Sequence, residues 1–274
     1  MTDDTLAGTR LRMLPPIRRA RLWRLYAENG ARYLDFWMDQ GRSILGAKGT
    51  GIGTAAKAAI DMGLTRPFPS VREARLEKTL VSAYPPYAAA RFYGNEIAAR
   101  AAAELVSPDA KIAVLRPFGE LLAHSASGPS SEAQAARIAM PLLPCPSVLA
   151  PTVLLFAEAE DAVKAKGELL APALLASAQR ALYEFDRFRL TYKESLWKRS
   201  DRRLGPYFER QGPYLFPRCA ESDYEAFFTA ALGAGALLSP LFEEPSIIPG
   251  DFDDGELARL AAALASTRTL QGKS

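Results

Sequence analysis

Histidine and cysteine, the side chains that titrate nearest neutral pH, are scarce in this chain. The 274-residue chain has nine lysines, two cysteines and one histidine, His124. A lone histidine argues against a Ser-His-Asp triad, a His-rich metal site and a histidine relay alike. Cys145 and Cys219 have no CxxC spacing and no histidine beside them, so neither a zinc site nor a disulfide scaffold is expected. Two glycine-bearing stretches could cradle an anion. Gly49-Thr-Gly-Ile-Gly-Thr-Ala-Ala-Lys57 lacks the Walker spacing, and its GxGxG is not the dinucleotide GxGxxG, so it reads as a turn feeding a helix. Gly94-Asn95-Glu96 opens an Ala-rich helix. The free N–H groups and dipole of a helix start favour negative charge, which makes Gly94, Asn95 and Glu96 the candidate anion or phosphate site, with a plain helix start as the alternative.

Charge adds a second candidate. The net charge of +3 is unevenly spread: residues 187–218 hold nine Lys/Arg against three Asp/Glu, and residues 219–274 hold three against nine. Two solvated or mutually docking faces account for this, or else an anion site in the Arg-rich stretch. Nucleic acid is not expected, because the basic stretch carries no recognisable motif and the whole chain is only mildly basic. Composition is that of a globular protein, 49% hydrophobic and 24% charged. No run of about 18 apolar residues offers a membrane span. The acidic start Met1-Thr-Asp-Asp4 leads into no signal core, so a soluble cytoplasmic protein is expected.

The elements that must position these residues follow from pattern. Residues 21–36 predict a β-hairpin about Asn29-Gly30. A helix runs through Met62, and Ser70 with Glu73 caps another over 70–83 until Tyr84-Pro-Pro-Tyr87 breaks it. Ala89–Tyr93 reads as a strand, followed by a helix to about Val106. Lys111–Arg116 and Thr152–Ala157 read as buried strands, and Glu132–Ala139 as a short helix between them. Residues 160–188 are helical with Pro172 at a break, and the Pro-rich 141–151 is a loop. This alternation predicts an α/β layer on a largely parallel sheet. Later come a charged helical stretch over 187–210, an extended Gly212–Pro217 and a helix over Asp223–Leu232. Short strands at Ala236–Pro240 and Ser246–Pro249 precede a last helix from Asp253 to about Ala265, with a frayed tail over 266–274.

Several of these segments resemble class III aminotransferases, including the glutamate-1-semialdehyde aminomutase group. Tyr26-Ala-Glu-Asn-Gly-Ala-Arg-Tyr-Leu-Asp-Phe36, with Gly41 and Leu45-Gly46 behind it, is similar to the family's D-x-x-G-x-x-Y-L-D-F hairpin and L-G-H, with Ala47 in place of the histidine. Leu76–Leu80, Pro85-Pro86 and Ala90-Arg-Phe-Tyr-Gly-Asn-Glu-Ile-Ala98 resemble the next family stretch. Asp223–Phe228, Gly233–Pro240 and Asp253–Leu260 resemble its small C-terminal domain. The resemblance covers about the first 117 and last 65 residues. It implies a type I pyridoxal-phosphate-dependent transferase fold, that is, an N-terminal hairpin arm (1–46), a reduced α/β/α large domain (47–204) and a small C-terminal α+β domain (205–274). It also implies pyridoxal phosphate as cofactor, with its phosphate at Gly94–Glu96, and a homodimer. The apolar arm, with Leu11, Met13, Ile17, Trp23, Tyr26 and Trp37, needs such a partner or its own core to cover it.

The middle of the chain departs from the family, whose members are longer. Where the family shows G-x-Y-H-G, this chain has Pro117-Phe-Gly-Glu-Leu121, so no ring-stacking aromatic is placed. Where a strand should end in D-E, Thr152–Ala157 runs into Glu158, which reads as a mimic of the acid or as a solvated strand end. No lysine stands in the family's Gly-rich context, and Lys164 and Lys166 fall on a polar helix start. Without that lysine the cofactor has no tether and no acid–base group. The expectation is a catalytically degenerate aminotransferase-fold protein, a pseudoenzyme with no catalytic residue assigned, binding a small anionic ligand or a protein partner. The alternative is a minimal active pyridoxal-phosphate enzyme.

Overall fold

The computed structural model describes residues 3–47, 51–108, 111–122 and 136–271. They belong to two compact units, residues 1–49 with 189–274, and residues 50–188.

The first unit begins with α1 (Asp3–Leu11) and a meander of β1 (Ile17–Arg21), β2 (Arg24–Ala27) and β3 (Arg32–Asp35). The β2–β3 hairpin turns where Asn29-Gly30 predicts. Gly30 takes a φ of +86°, and the Asn29 carboxamide oxygen accepts the Ala31 N–H at 3.0 Å. β3 then pairs in parallel with β10 (Ala236–Leu237), giving the sheet order β1-β2-β3-β10. The Leu34 and Phe36 N–H groups donate to Gly235 and Leu237 carbonyls, both at 2.8 Å. The N-terminal arm is thus stitched to the C-terminal part of its own chain. Tyr33, Leu34 and Phe36 are buried within this unit, whereas Leu11, Trp23, Tyr26 and Trp37 are half-buried and Met13 and Ile17 exposed.

A second sheet, β11-β9-β8, joins β8 (Phe208–Gln211), β9 (Tyr214–Pro217) and β11 (Ser246–Ile247). The helices are α7 (Glu194–Leu204), α8 (Tyr224–Gly233) and α9 (Asp254–Gln271). The last runs beyond the expected stop at Ala265, so 266–271 is helical rather than frayed. The charge asymmetry resolves partly as docking, since Arg203 on α7 grips Asp254 at the start of α9 through two bonds of 3.1 and 2.6 Å.

In the second unit, α2 (Ile52–Asp61), α3 (Val71–Ala83) and β4 (Ala89–Tyr93) lead to α4 (Glu96–Val106). The Ser70 hydroxyl accepts the Arg72 N–H at 3.2 Å, which is the predicted cap of α3. Then come β5 (Ala113–Leu115), β6 (Ile138–Pro141), β7 (Thr152–Phe156), α5 (Ala159–Ala165) and α6 (Pro172–Phe188), with Pro172 at the first helical position. Three expectations are corrected. Ile138 and Ala139 lie in a strand, not a helix, and residues 132–135 of that prediction fall outside the described residues.

The sheet order is β4-β7-β6-β5, and β7 is antiparallel to both β4 and β6, with only β5 and β6 parallel. The cause is the Pro-rich link. Ten residues separate β6 from β7 and contain only a short 3-10 turn, Ser147–Leu149, too little for a helical crossover. Finally, β5 is an edge strand and half-exposed rather than buried, with Val114 at 40%. β4 is also an edge strand but is buried, because Glu168 donates its N–H to the Phe92 carbonyl at 2.8 Å and the chain after α5 lies along it. Small Ala99, Ala102 and Ala103 let α4 lie close over Tyr93, Leu154 and Phe156.

Candidate functional site

β4 delivers the chain to Gly94, Asn95 and Glu96, all exposed, at the start of α4. Asn95 caps the helix, its carboxamide oxygen accepting the Ala98 N–H at 2.9 Å. The Gly94 N–H donates to the Glu168 carboxylate at 2.7 Å. Glu96 in the first turn pairs with Arg100 at 2.7 Å. The helix start therefore accepts negative charge, as its dipole dictates, and the charge it holds comes from the chain's own Glu168. Sequence reasoning missed Glu168. It lies 74 residues from Gly94, and its only local signal is Gly167, where an added Cβ would come within 3.3 Å of the Phe92 N–H.

The other residues weighed for cofactor chemistry are Glu158, Phe118 and the lysines. Glu158 is exposed at the start of α5 and makes no side-chain cap. One turn on, the Asp161 side chain is buried and held by Arg137 through bonds of 2.6 and 2.8 Å, which keep its carboxyl below its ordinary range. Phe118 is buried, and its ring meets Phe185 edge-on at 5.1 Å. Lys164 points to solvent beside Asp161 at 3.5 Å. The seven described lysines, Lys57, Lys78, Lys111, Lys164, Lys166, Lys193 and Lys198, are all exposed. His124, Lys48, Gly49 and Lys273 lie outside the described residues. Cys145 is buried and Cys219 half-buried, both as free thiols, and burial pushes the Cys145 thiol up to about 12.

The first unit holds a strained turn that the sequence does not announce. Met38, Asp39, Gln40 and Gly41 all have positive φ, from 50° to 96°. Asp35 sets it up by accepting the Trp37 and Met38 N–H groups at 2.9 and 2.8 Å. Gln40 donates to Glu244 at 2.7 Å and accepts from Arg42 at 3.1 Å. Three consecutive non-glycine residues in the left-handed region persist only where the surroundings hold them.

No family model matches the sequence. An uncharacterized protein of Treponema pallidum (strain Nichols) is 30% identical over 287 residues, covering 87% of this chain and 90% of that protein. The chain belongs to the family of that Treponema protein. An uncharacterized protein of Borreliella burgdorferi is 26% identical over 249 residues, covering 89% of this chain and 88% of its own. The alignments take in most of each chain.

Solved structures supply the fold. An omega-transaminase from Sphaerobacter thermophilus matches with a TM-score of 0.67 at 11% identity, covering 97% of both chains. An N-acetylornithine aminotransferase from Stenotrophomonas maltophilia K279a gives 0.61 at 15%, covering 97% of this chain and 99% of that one. The ornithine aminotransferase PY00104 from Plasmodium yoelii gives 0.61 at 12%, covering 98% and 100%. This chain thus has the α/β fold of pyridoxal-phosphate-dependent aminotransferases. Among the described residues no helix is long and apolar enough to cross a membrane.

Proposed function

We propose that this protein is a catalytically degenerate member of the aminotransferase fold, a binding protein without transaminase chemistry. The observation that carries the reading is the exposure of every described lysine. A lysine that attacks a carbonyl must first lose its proton, which burial or a neighbouring cation brings about. None of the seven is buried. Pyridoxal phosphate therefore does not fit the described residues as a covalently held group. If it binds, it does so untethered, with no residue here assigned to move a proton on it.

Gly94, Asn95 and Glu96 are the proposed site for a small anionic ligand. A phosphate or carboxylate would reach the Gly94 N–H by displacing Glu168, a carboxylate that already uses it. A protein partner is the other occupant we propose for the molecule. We also place it in the cytoplasm as a homodimer. Two free thiols suit a reducing compartment. The dimer rests on the class III resemblance and on the exposed apolar side chains of Met13, Ile17 and Leu22. Light scattering at micromolar concentration is expected to give twice the mass of one chain, and the mass of one chain would contradict the dimer. Pyridoxal phosphate added to the purified protein is expected to leave no visible band of a lysine-bound cofactor; a saturable band at one equivalent would overturn the reading.

A further inference from the structure

The side chains of α4 are distributed the wrong way round for a helix with a core on one side and water on the other. Its inward face is alanine: Ala99, Ala102 and Ala103 pack against β4, β6 and β7. Its two largest aliphatic residues point outward. Ile97 is 83% exposed and Leu105 78%, with Ala101 exposed between them. Spaced four apart, these three form one row along the outer surface. A lone exposed leucine is ordinary, but a helix that is apolar on both sides is normally covered on both.

The rest of this unit offers little to cover the row. Its residues outside the description, 50, 109–110 and 123–135, include no Val, Leu, Ile, Met or aromatic residue. Beside the apolar row runs a charged one, Arg100 and Glu104, both exposed. Arg100 pairs with Glu96 at 2.7 Å, and Glu104 has no ion pair among the described residues. A base and an acid side by side do not suit a nucleic acid, an anionic membrane or a partner of one sign, since one of the two would face its like.

They do suit a reversed copy of the same helix. The apolar row reads large, small, large in either direction. A twofold axis through Ala101 sets Ile97 against the partner's Leu105 and Ala101 against its own copy, where two small side chains let the helices approach. In that antiparallel pairing the charged rows face each other. Arg100 then lies about 3 Å along the axis from the partner's Glu104, the carboxylate that lacks an ion pair in its own chain.

We propose that α4 is a self-docking surface, pairing antiparallel with α4 of a second copy through Ile97, Ala101 and Leu105. This deepens the homodimer reading above and rests on it, naming a contact that the arm does not supply.

The test measures the dimer dissociation constant of the full chain by sedimentation and locates the contact by cross-linking. Leu105→Glu is expected to raise the constant about tenfold or more, because pairing would bury an unpaired charge. Circular dichroism of the variant should match the parent, since the side chain is exposed. Arg100→Glu should weaken the dimer, and Arg100→Glu with Glu104→Arg should restore it, which a loss of helix stability alone would not do. Ala101→Cys, oxidised mildly, is expected to give a disulfide-linked dimer in which mass spectrometry finds two copies of the substituted peptide joined to each other. A parent that sediments as one chain overturns the homodimer reading and this proposal together, and leaves the row to another protein. A dimeric parent whose constant is unmoved by Leu105→Glu, or whose Ala101→Cys variant gives no such cross-link, overturns this proposal alone.

Discussion

The Asp35 carboxylate sits half-buried at the end of β3 and accepts two backbone N–H groups. Burial outweighs those two bonds and pushes its pKa up from 3.8 to about 6. The folded chain therefore holds this proton more tightly than the unfolded chain does. Stability from this group is complete below about pH 4 and is lost as pH rises through 6. Asn at this position keeps an acceptor for both N–H groups and carries no charge. Asp35→Asn is expected to leave stability at pH 4 nearly unchanged and to raise it by about 1 kcal/mol at pH 7. Urea unfolding at the two pH values checks this, and a variant weaker than the parent at pH 7 would contradict it. The anion candidate is readable at this scale only in part. Asn95 is recognisable as a cap from its position before an Ala-rich run. Glu168 is not, because its meeting with Gly94 depends on how the chain after α5 lies along β4.

Among elements, the parallel pair β3–β10 joins residues about 200 apart in the chain and turns on Gly235. Gly235 has a φ of +82°, and an added Cβ would stand 2.9 Å from the Arg32 carbonyl oxygen. Gly235→Ala is expected to cost about 1–3 kcal/mol, read as a fall in Tm. An unchanged Tm would mean that the backbone here relaxes freely. The strand and helix positions of this chain are largely legible from sequence, because Asn29-Gly30, Ser70, Asn95 and Pro172 are local signals with local causes. Strand direction is not. An apolar run such as Thr152–Phe156 reads alike in a parallel or an antiparallel sheet, and only the ten-residue link before it, with no helix, favours reversal. Ile138–Pro141 was open to the opposite error, since four residues set no period that separates strand from helix.

For the whole molecule, the class III resemblance anticipates the α/β aminotransferase fold that the solved structures share. The opposed charges of 187–218 and 219–274 meet in part at Arg203 and Asp254, while the basic excess that stays open lies elsewhere, on β1. The sequence hides this because Arg24 and Arg21 look alike in it, and only the fold brings Glu256 and Asp251 to one of them. Whether any lysine holds the cofactor is decided for all nine at once, including Lys48 and Lys273. The protein is mixed with one equivalent of pyridoxal phosphate, reduced with borohydride, digested and read by mass spectrometry. No lysine is expected to be modified above the trace level spread over exposed surface lysines. A single lysine carrying a near-stoichiometric pyridoxyl group would contradict this and show a built site for the covalently held cofactor.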